Sequence, residues 1–178
     1  MKQGYNGRTN YLTGNVLSDE WYTPVDVVSF IKNNIGIGSK KVICPFDSAK
    51  SNFVKFFPNS IYGIRDFMER DYEYDICITN PPFSFKFDIL ERILSRGKDC
   101  ILVFPETAVF SVTFFNLLHK YNFHYKIYSP KQRIYFIDEH GNQNRPNFHS
   151  IILHIGADMV RNEIVHVDLE KEFEKELD

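Results

Sequence analysis

The sequence predicts an α/β fold built on a largely parallel sheet, with an antiparallel pair of strands towards its C-terminal end. Three observations carry this. Short apolar runs bounded by polar loops, at 41–44, 60–64, 76–79 and 100–104, read as buried strands. Helical apolar spacing lies between them, the alternation that parallel strands joined by crossovers require. From Phe123 onward the texture changes to strand-like runs.

Taken in order, Thr23-Pro24 opens the first helix: Thr23 is placed to cap, Pro24 fits the first turn, and Asp26 favours the positive helix end. Val27, Val28, Phe30 and Ile31 give its apolar face, and Gly36 follows its end. A strand over 41–44 leads to a helix over 51–57 closed by Pro58-Asn59, then to a strand over 60–64 that runs into Asp66-Phe67. The run 76–79 ends in Asn80-Pro81-Pro82-Phe83, followed by helical spacing over 85–95 and Gly97. The strand over 100–104 closes at Pro105-Glu106. Runs at 123–128, 133–137 and 148–155 are expected strands, with a turn at Gly141-Asn142 between the last two.

With 178 residues, 43% hydrophobic and 25% charged, the chain is expected to be one domain (1–178) with a substantial core. Residues 1–17 read as flexible and 168–178 as a solvated acidic helix. A net charge of −2 argues against a surface coated for non-specific DNA binding. A local basic patch at Lys126, Lys131, Arg133 and Arg145 remains. Cys44, Cys77 and Cys100 each lie in an apolar run, the pattern of buried free thiols in a reducing cytoplasm, and no metal spacing is present. No stretch approaches membrane-spanning length and no apolar leader is seen, so a cytoplasmic protein is expected.

Loops that follow strands carry the chemistry: Cys44-Pro45-Phe46-Asp47, Arg65-Asp66-Phe67, Asn80-Pro81-Pro82-Phe83 and Pro105-Glu106. In an open α/β sheet they converge on one rim, where ligands bind. The two prolines cannot donate backbone hydrogen bonds, and the first holds Asn80 extended at the end of its strand. A polar amide on a stiff loop suits recognition of an amino group; in its plainest role Asn80 merely caps its own turn.

Asn80 to Phe83 resembles the motif of S-adenosylmethionine (SAM)-dependent amino-methyltransferases. From about Ser18 to Ile155 the chain is most similar to the small phage-type N6-adenine DNA methyltransferases. The resemblance implies a Rossmann-like methyltransferase fold with SAM as cofactor and no metal. It implies a catalytic loop at Asn80, Pro81, Pro82 and Phe83. Trp21, Tyr22, Thr23 and Pro24, within the motif Ser18–Pro24, would help hold SAM. So would Pro45, Phe46, Asp47 and Ser51 after the first sheet strand. Asp66 would accept from the cofactor's adenine amino group while Phe67 stacks on it. Arg133-Ile134-Tyr135-Phe136 with Asn147-Phe148 resembles the late hairpin that packs on a flipped base, and Lys131, Arg133, Asn147 and Phe148 would meet DNA.

One departure stands out. The family's first strand commonly ends in Asp-Pro-Phe with glycines after it, whereas residues 44–53 here contain none and the acid is displaced to Asp47. Either Asp47 and Ser51 rebuild the site for the methionine part of SAM, or SAM binding is weakened or lost. The acid that usually ends the second strand is not evident; Glu20 and Glu106 are spare carboxylates.

The reaction implied is methyl transfer to adenine N6 in DNA, with modest sequence preference read by loops at 130–133 and 138–147 or by a second subunit in a homodimer. Two readings compete. The same loop serves amines of RNA, cytosine N4 or a protein glutamine. A catalytically inactive methyltransferase-like protein, of phage regulatory or anti-defence type, would instead bind DNA or a host partner.

Overall fold

The fold is that of a computed structural model, which describes residues 21–138, 140–144 and 146–169. The expectations for 1–17, Ser18–Glu20, Arg145 and the acidic stretch 170–178 lie outside the described residues.

Helix α1 (Val25–Asn34) starts at Pro24, whose φ of −66° is already set for the helix. Thr23 does not cap it: no side chain caps this end, and the Thr23 hydroxyl is buried without a partner among the described residues. Strand β1 (Val42–Cys44) leads to α2 (Asn52–Phe56), capped by Ser51 Oγ accepting from the Phe53 N–H at 3.1 Å. Strand β2 (Ile61–Tyr62) is shorter than expected. Gly63 turns with φ +68° and leaves the ladder, and its N–H and that of Ile64 donate to the carbonyls of Asp47 and Pro45, both at 3.0 Å.

Strand β3 (Ile76–Thr79), a 3₁₀ turn (Phe83–Phe85), α3 (Lys86–Leu94) and β4 (Asp99–Pro105) follow the expected order. Two helices then appear that the sequence reading did not place: α4 (Glu106–Val109) and α5 (Val112–Tyr121). Ser111 caps α5, and Phe114, Leu117 and Leu118 form its buried face.

Strands β5 (His124–Pro130) and β8 (Ser150–Gly156) match two of the late runs. The run at 133–137 shrinks to β6 (Phe136–Ile137), which pairs with β7 (Gln143–Asn144) as a separate ribbon. Asp138 organises the turn between them, accepting from the N–H groups of His140 and Asn142 and from the Asn142 amide. Strand β9 (Glu163–Val167) was not anticipated.

The main sheet runs β2-β1-β3-β4-β8-β5-β9. Only β8 opposes the rest, pairing antiparallel with both β4 and β5, while β9 closes the edge parallel to β5. The expected antiparallel pair is therefore present, with its second strand slotted inside the sheet rather than added at its margin.

Both faces of the sheet are covered. On one, Leu90, Ile93, Phe114 and Leu118 of α3 and α5 pack on Cys77, Leu102 and Leu153. On the other, Val27, Val28, Ile31 and Phe53 of α1 and α2 pack on Ile76, Ile101 and Ile152. Each such side chain contributes about 1.5–3 kcal/mol of burial. No helix among the described residues is long and apolar enough to cross a membrane. The cysteines are free and buried, as expected.

Ile101, fully buried at the centre of β4, is expected to be a keystone of the α1 face. Ile101→Ala should cost about 2–5 kcal/mol in urea unfolding; a loss below 1 kcal/mol would show that this face relaxes around the change.

Candidate functional site

The order β2-β1-β3-β4 reverses direction between β1 and β3, so the crevice beyond their carboxyl ends is the topological switch point. Asp47 lies across it. Its Oδ1 accepts from Ser51 Oγ at 2.6 Å and its Oδ2 from Thr79 Oγ1 at 2.8 Å, so one carboxylate ties the β1 loop, the start of α2 and the end of β3. Burial pushes its pKa from the ordinary 3.8 up to about 6, against the opposing pull of those two hydroxyl bonds. No residue from Pro45 to Ser51 has a positive φ. The loop therefore turns without needing glycine's conformational freedom; what it lacks is the close approach that a missing Cβ would permit.

Asn80 follows Thr79 directly. Its side-chain oxygen is buried and has no hydrogen-bond partner among the described residues. Such an atom costs about 1–3 kcal/mol unless something binds it. Pro81 is buried, and Pro82 starts the 3₁₀ turn that carries Phe83. Phe83 packs against the α1-side core and meets Phe148 edge to face, ring centroids 4.9 Å apart. Lys86 Nζ donates to the Phe83 carbonyl at 3.0 Å and braces the loop from α3. The late segment is thereby brought to the Asn80 loop. It is also fastened to the end of β4, where the Glu106 N–H donates to the His149 carbonyl at 2.8 Å.

Asp66 is half-buried and accepts a short hydrogen bond from the Tyr72 hydroxyl. Phe67 is taken up by the core, 3% exposed, against Phe46 at 5.6 Å and Tyr74 at 6.3 Å. Phe46 keeps partial exposure, so the aromatic face left at this rim belongs to Phe46. Trp21 packs at the margin of the α1-side core. Tyr22 pairs with Ile137 through two backbone bonds, at 2.7 and 3.1 Å, and so joins the N-terminal motif to the β6–β7 ribbon. Asn52 Nδ2 donates to the Thr23 carbonyl at 2.8 Å, holding Thr23-Pro24 beside α2.

Lys131, Arg133 and Asn147 are exposed. Lys131 reaches Asp168 at 3.3 Å. With Pro24, Asp26 and Tyr135, Lys131 and Arg133 line a cavity of about 620 Å³ between the start of α1 and the 131–137 segment; Asn80 is not part of its wall. The structure thus gathers Asp47, Ser51 and Asn80 closely and joins Phe83 to Phe148. It sets Lys131 and Arg133 to one side.

Two residues escaped the sequence reading. Thr79 reads in the sequence as plain strand, yet it holds Asp47. Ser150, 1% exposed, has a hydroxyl with no partner among the described residues and stands opposite Pro105 at the same rim. It lies two residues before Ile152 on β8 and so shares that residue's face, the α1 side on which Phe83 also packs. A small polar residue at the head of the apolar run Ile151-Ile152-Leu153 is the available signal. No cluster of possible metal ligands occurs among the described residues.

No family model matches the chain, and no curated protein sequence matches it. Among solved structures it is similar to a candidate RNA methyltransferase from Pyrococcus horikoshii, with 12% identity and a TM-score of 0.52 over 86% of this chain and 91% of that one. A structure from Thermoplasma acidophilum shares 10% identity with a TM-score of 0.38, over 76% of this chain and 97% of that one. The first likeness bears on architecture: the chain has the Rossmann-like methyltransferase fold.

Because burial raises the Asp47 pKa in the folded state, the native protein holds a proton that the unfolded chain has released between about pH 4 and pH 6. Stability from this group therefore falls as pH rises through that window. Asp47→Asn cannot ionise, so its stability relative to wild type should improve between pH 4.5 and 7.5 in urea titrations. A pH-independent difference would show that Asp47 titrates normally.

Proposed function

We propose that this chain is a SAM-dependent amino-methyltransferase acting on adenine N6 in DNA, in the manner of the phage-type enzymes its motifs resemble. The observation that carries the proposal is the buried, unpartnered oxygen of Asn80 at the switch point of a methyltransferase fold. A hydrogen-bond acceptor held there by two prolines is matched to an N–H donor that arrives with a ligand.

The residues present fit the cofactor. Each Asp47 oxygen takes one hydroxyl bond and keeps a further lone pair, which suits the ammonium of the methionine part. The buried Thr23 hydroxyl lies unpartnered beside the start of α1. Asp66 offers its second carboxylate oxygen, and Phe46 an aromatic surface. SAM, when bound, supplies an electrophilic methyl group.

The chain's own part is orientation. Adenine N6 is a poor nucleophile because its lone pair is delocalised into the ring. Asn80 Oδ1 and the Pro81 carbonyl each accept one N6 hydrogen and favour a pyramidal nitrogen with its lone pair free to attack. Phe83 and Phe148 offer the apolar wall for a base that has left the duplex at a cost of a few kcal/mol. The Ser150 hydroxyl adds a contact to the ring edge next to the amine. Lys131 and Arg133, exposed on the segment that leads into the β6–β7 ribbon, serve the flanking backbone.

A second reading keeps the machinery and changes the acceptor to RNA; the fold neighbour described as a candidate RNA methyltransferase favours it. A third, the inactive binding protein, draws on the glycine-free loop at 44–53. Calorimetry with SAM separates the third from the others, since an inactive protein that has lost the site gives no heat. Incubation with SAM and either DNA or RNA, followed by nucleoside analysis, separates the first two.

Asn80→Ala should lower methyl transfer by at least about 10²–10³-fold with thermal unfolding unchanged; full turnover in that variant would refute the assignment. Ser150→Ala should raise the acceptor KM by about 2–10-fold while SAM affinity stays constant, and an unaltered KM would remove Ser150 from the acceptor wall.

A further inference from the structure

A pocket of about 210 Å³ lies on the α3 face, away from the Asn80 loop, and contains Arg70, Arg92, Arg96 and Lys98 with the single acid Asp71. Four of the chain's 21 Lys and Arg residues meet here, in a protein of net charge −2. Tyr74 precedes β3 and Lys98 precedes β4, so one end of the pocket lies near the amino ends of these strands, while its Phe67 wall packs on Phe46 towards the rim that carries Asn80.

The cations play unequal parts. Arg92 is structural: it donates to the carbonyls of Phe67 and Arg70, and to Asp71 at 2.9 Å. Asp71 also takes Arg96 at 2.9 Å, so the one carboxylate is shared by two guanidinium groups. Arg70 and Lys98 have no carboxylate partner among the described residues. Each is held instead over an aromatic ring, Arg70 at 5.8 Å from the Tyr72 centroid and Lys98 at 5.6 Å from that of Tyr74. One face of each tyrosine ring is thereby taken up by a cation. What the pocket offers is fixed positive charge in excess of its one acid, which suits a compact oxyanion of more than one charge-bearing oxygen.

We propose that this pocket binds phosphate, and that the phosphate belongs to a nucleic-acid backbone running down the α3 side of the sheet. The distances are compatible. The seven residues of β4, from the Lys98 end of the pocket to the rim, span at most about 23 Å at roughly 3.3 Å each. That corresponds to about seven base steps at 3.4 Å per strand, so backbone flanking an acceptor at the Asn80 rim reaches the pocket. The proposal itself does not depend on methyl transfer.

The test uses the full chain without SAM. Binding of a fluorescein-labelled duplex is followed by anisotropy over a series of salt concentrations, and binding of inorganic pyrophosphate by calorimetry. The double variant Arg70→Gln/Lys98→Gln leaves Arg92 and its structural bonds intact. Lys32→Gln/Lys55→Gln removes the same charge from the opposite face. The expected result is a roughly tenfold loss of duplex affinity in the first variant only, with the slope of log K against log salt reduced by about 2. Loss of pyrophosphate binding with duplex affinity unchanged would uphold the phosphate site and assign it to a free ligand. Equal binding of both probes by wild type and the Arg70/Lys98 variant would overturn it. Absence of methyl transfer would leave each of these readings as it stands.

Discussion

The carboxylate of Asp47 is the constraint on which the site depends. Through Ser51 and Thr79 it locks a loop to a helix cap and to a neighbouring strand, and Asn80 is the next residue along that strand. A half-buried acid is a costly way to make such a tie, since desolvation opposes its ionisation. Two hydroxyl donors offset part of that cost without neutralising the charge. Negative potential is thus retained at a point where a loop without glycine cannot offer close backbone approach. The same group fixes geometry and supplies charge.

Around this tie the site divides along the two faces of the sheet. Phe83, Trp21 and Ser150 belong to the α1 face, where the unpartnered oxygens of Asn80, Ser150 and Thr23 are found. Phe67 and Tyr74 belong to the α3 face, and Phe67 is spent on core packing. An aromatic beside an acid in sequence need not share its exposure. Asp66 stays half-buried while the next residue turns inward, at the start of a tight turn in which the Asp66 carbonyl accepts from the Glu69 and Arg70 N–H groups.

What was legible in the sequence was local. The strands at β1, β3 and β4 announced themselves as apolar runs closed by polar loops, and α1 and α3 by their periodic faces. The Asn80 loop was legible because two adjacent prolines leave the chain few conformations. Helix α5 carried the signals of Ser111 as cap and Phe114, Leu117 and Leu118 as its face, but its run of phenylalanine beside valine and threonine reads equally as strand. Strand β9 had little local signature: Ile164 and Val165 are exposed neighbours, and the strand exists through its pairing with β5. The roles of Thr79 and Ser150 depend on partners, or on missing partners, that only the folded chain defines.

The placement of β8 has a consequence for assembly. Its neighbours β4 and β5 are consecutive strands of the sheet in the chain, yet they do not touch; β8 fills the gap between them. The central sheet therefore cannot close until the chain has been made through Gly156, however early its first strands associate. Phe148 and Ser150 arrive with that last insertion. A nascent chain would carry the Asn80 loop long before it carried the opposing wall, so the acceptor side of the crevice forms in the same event that seals the sheet.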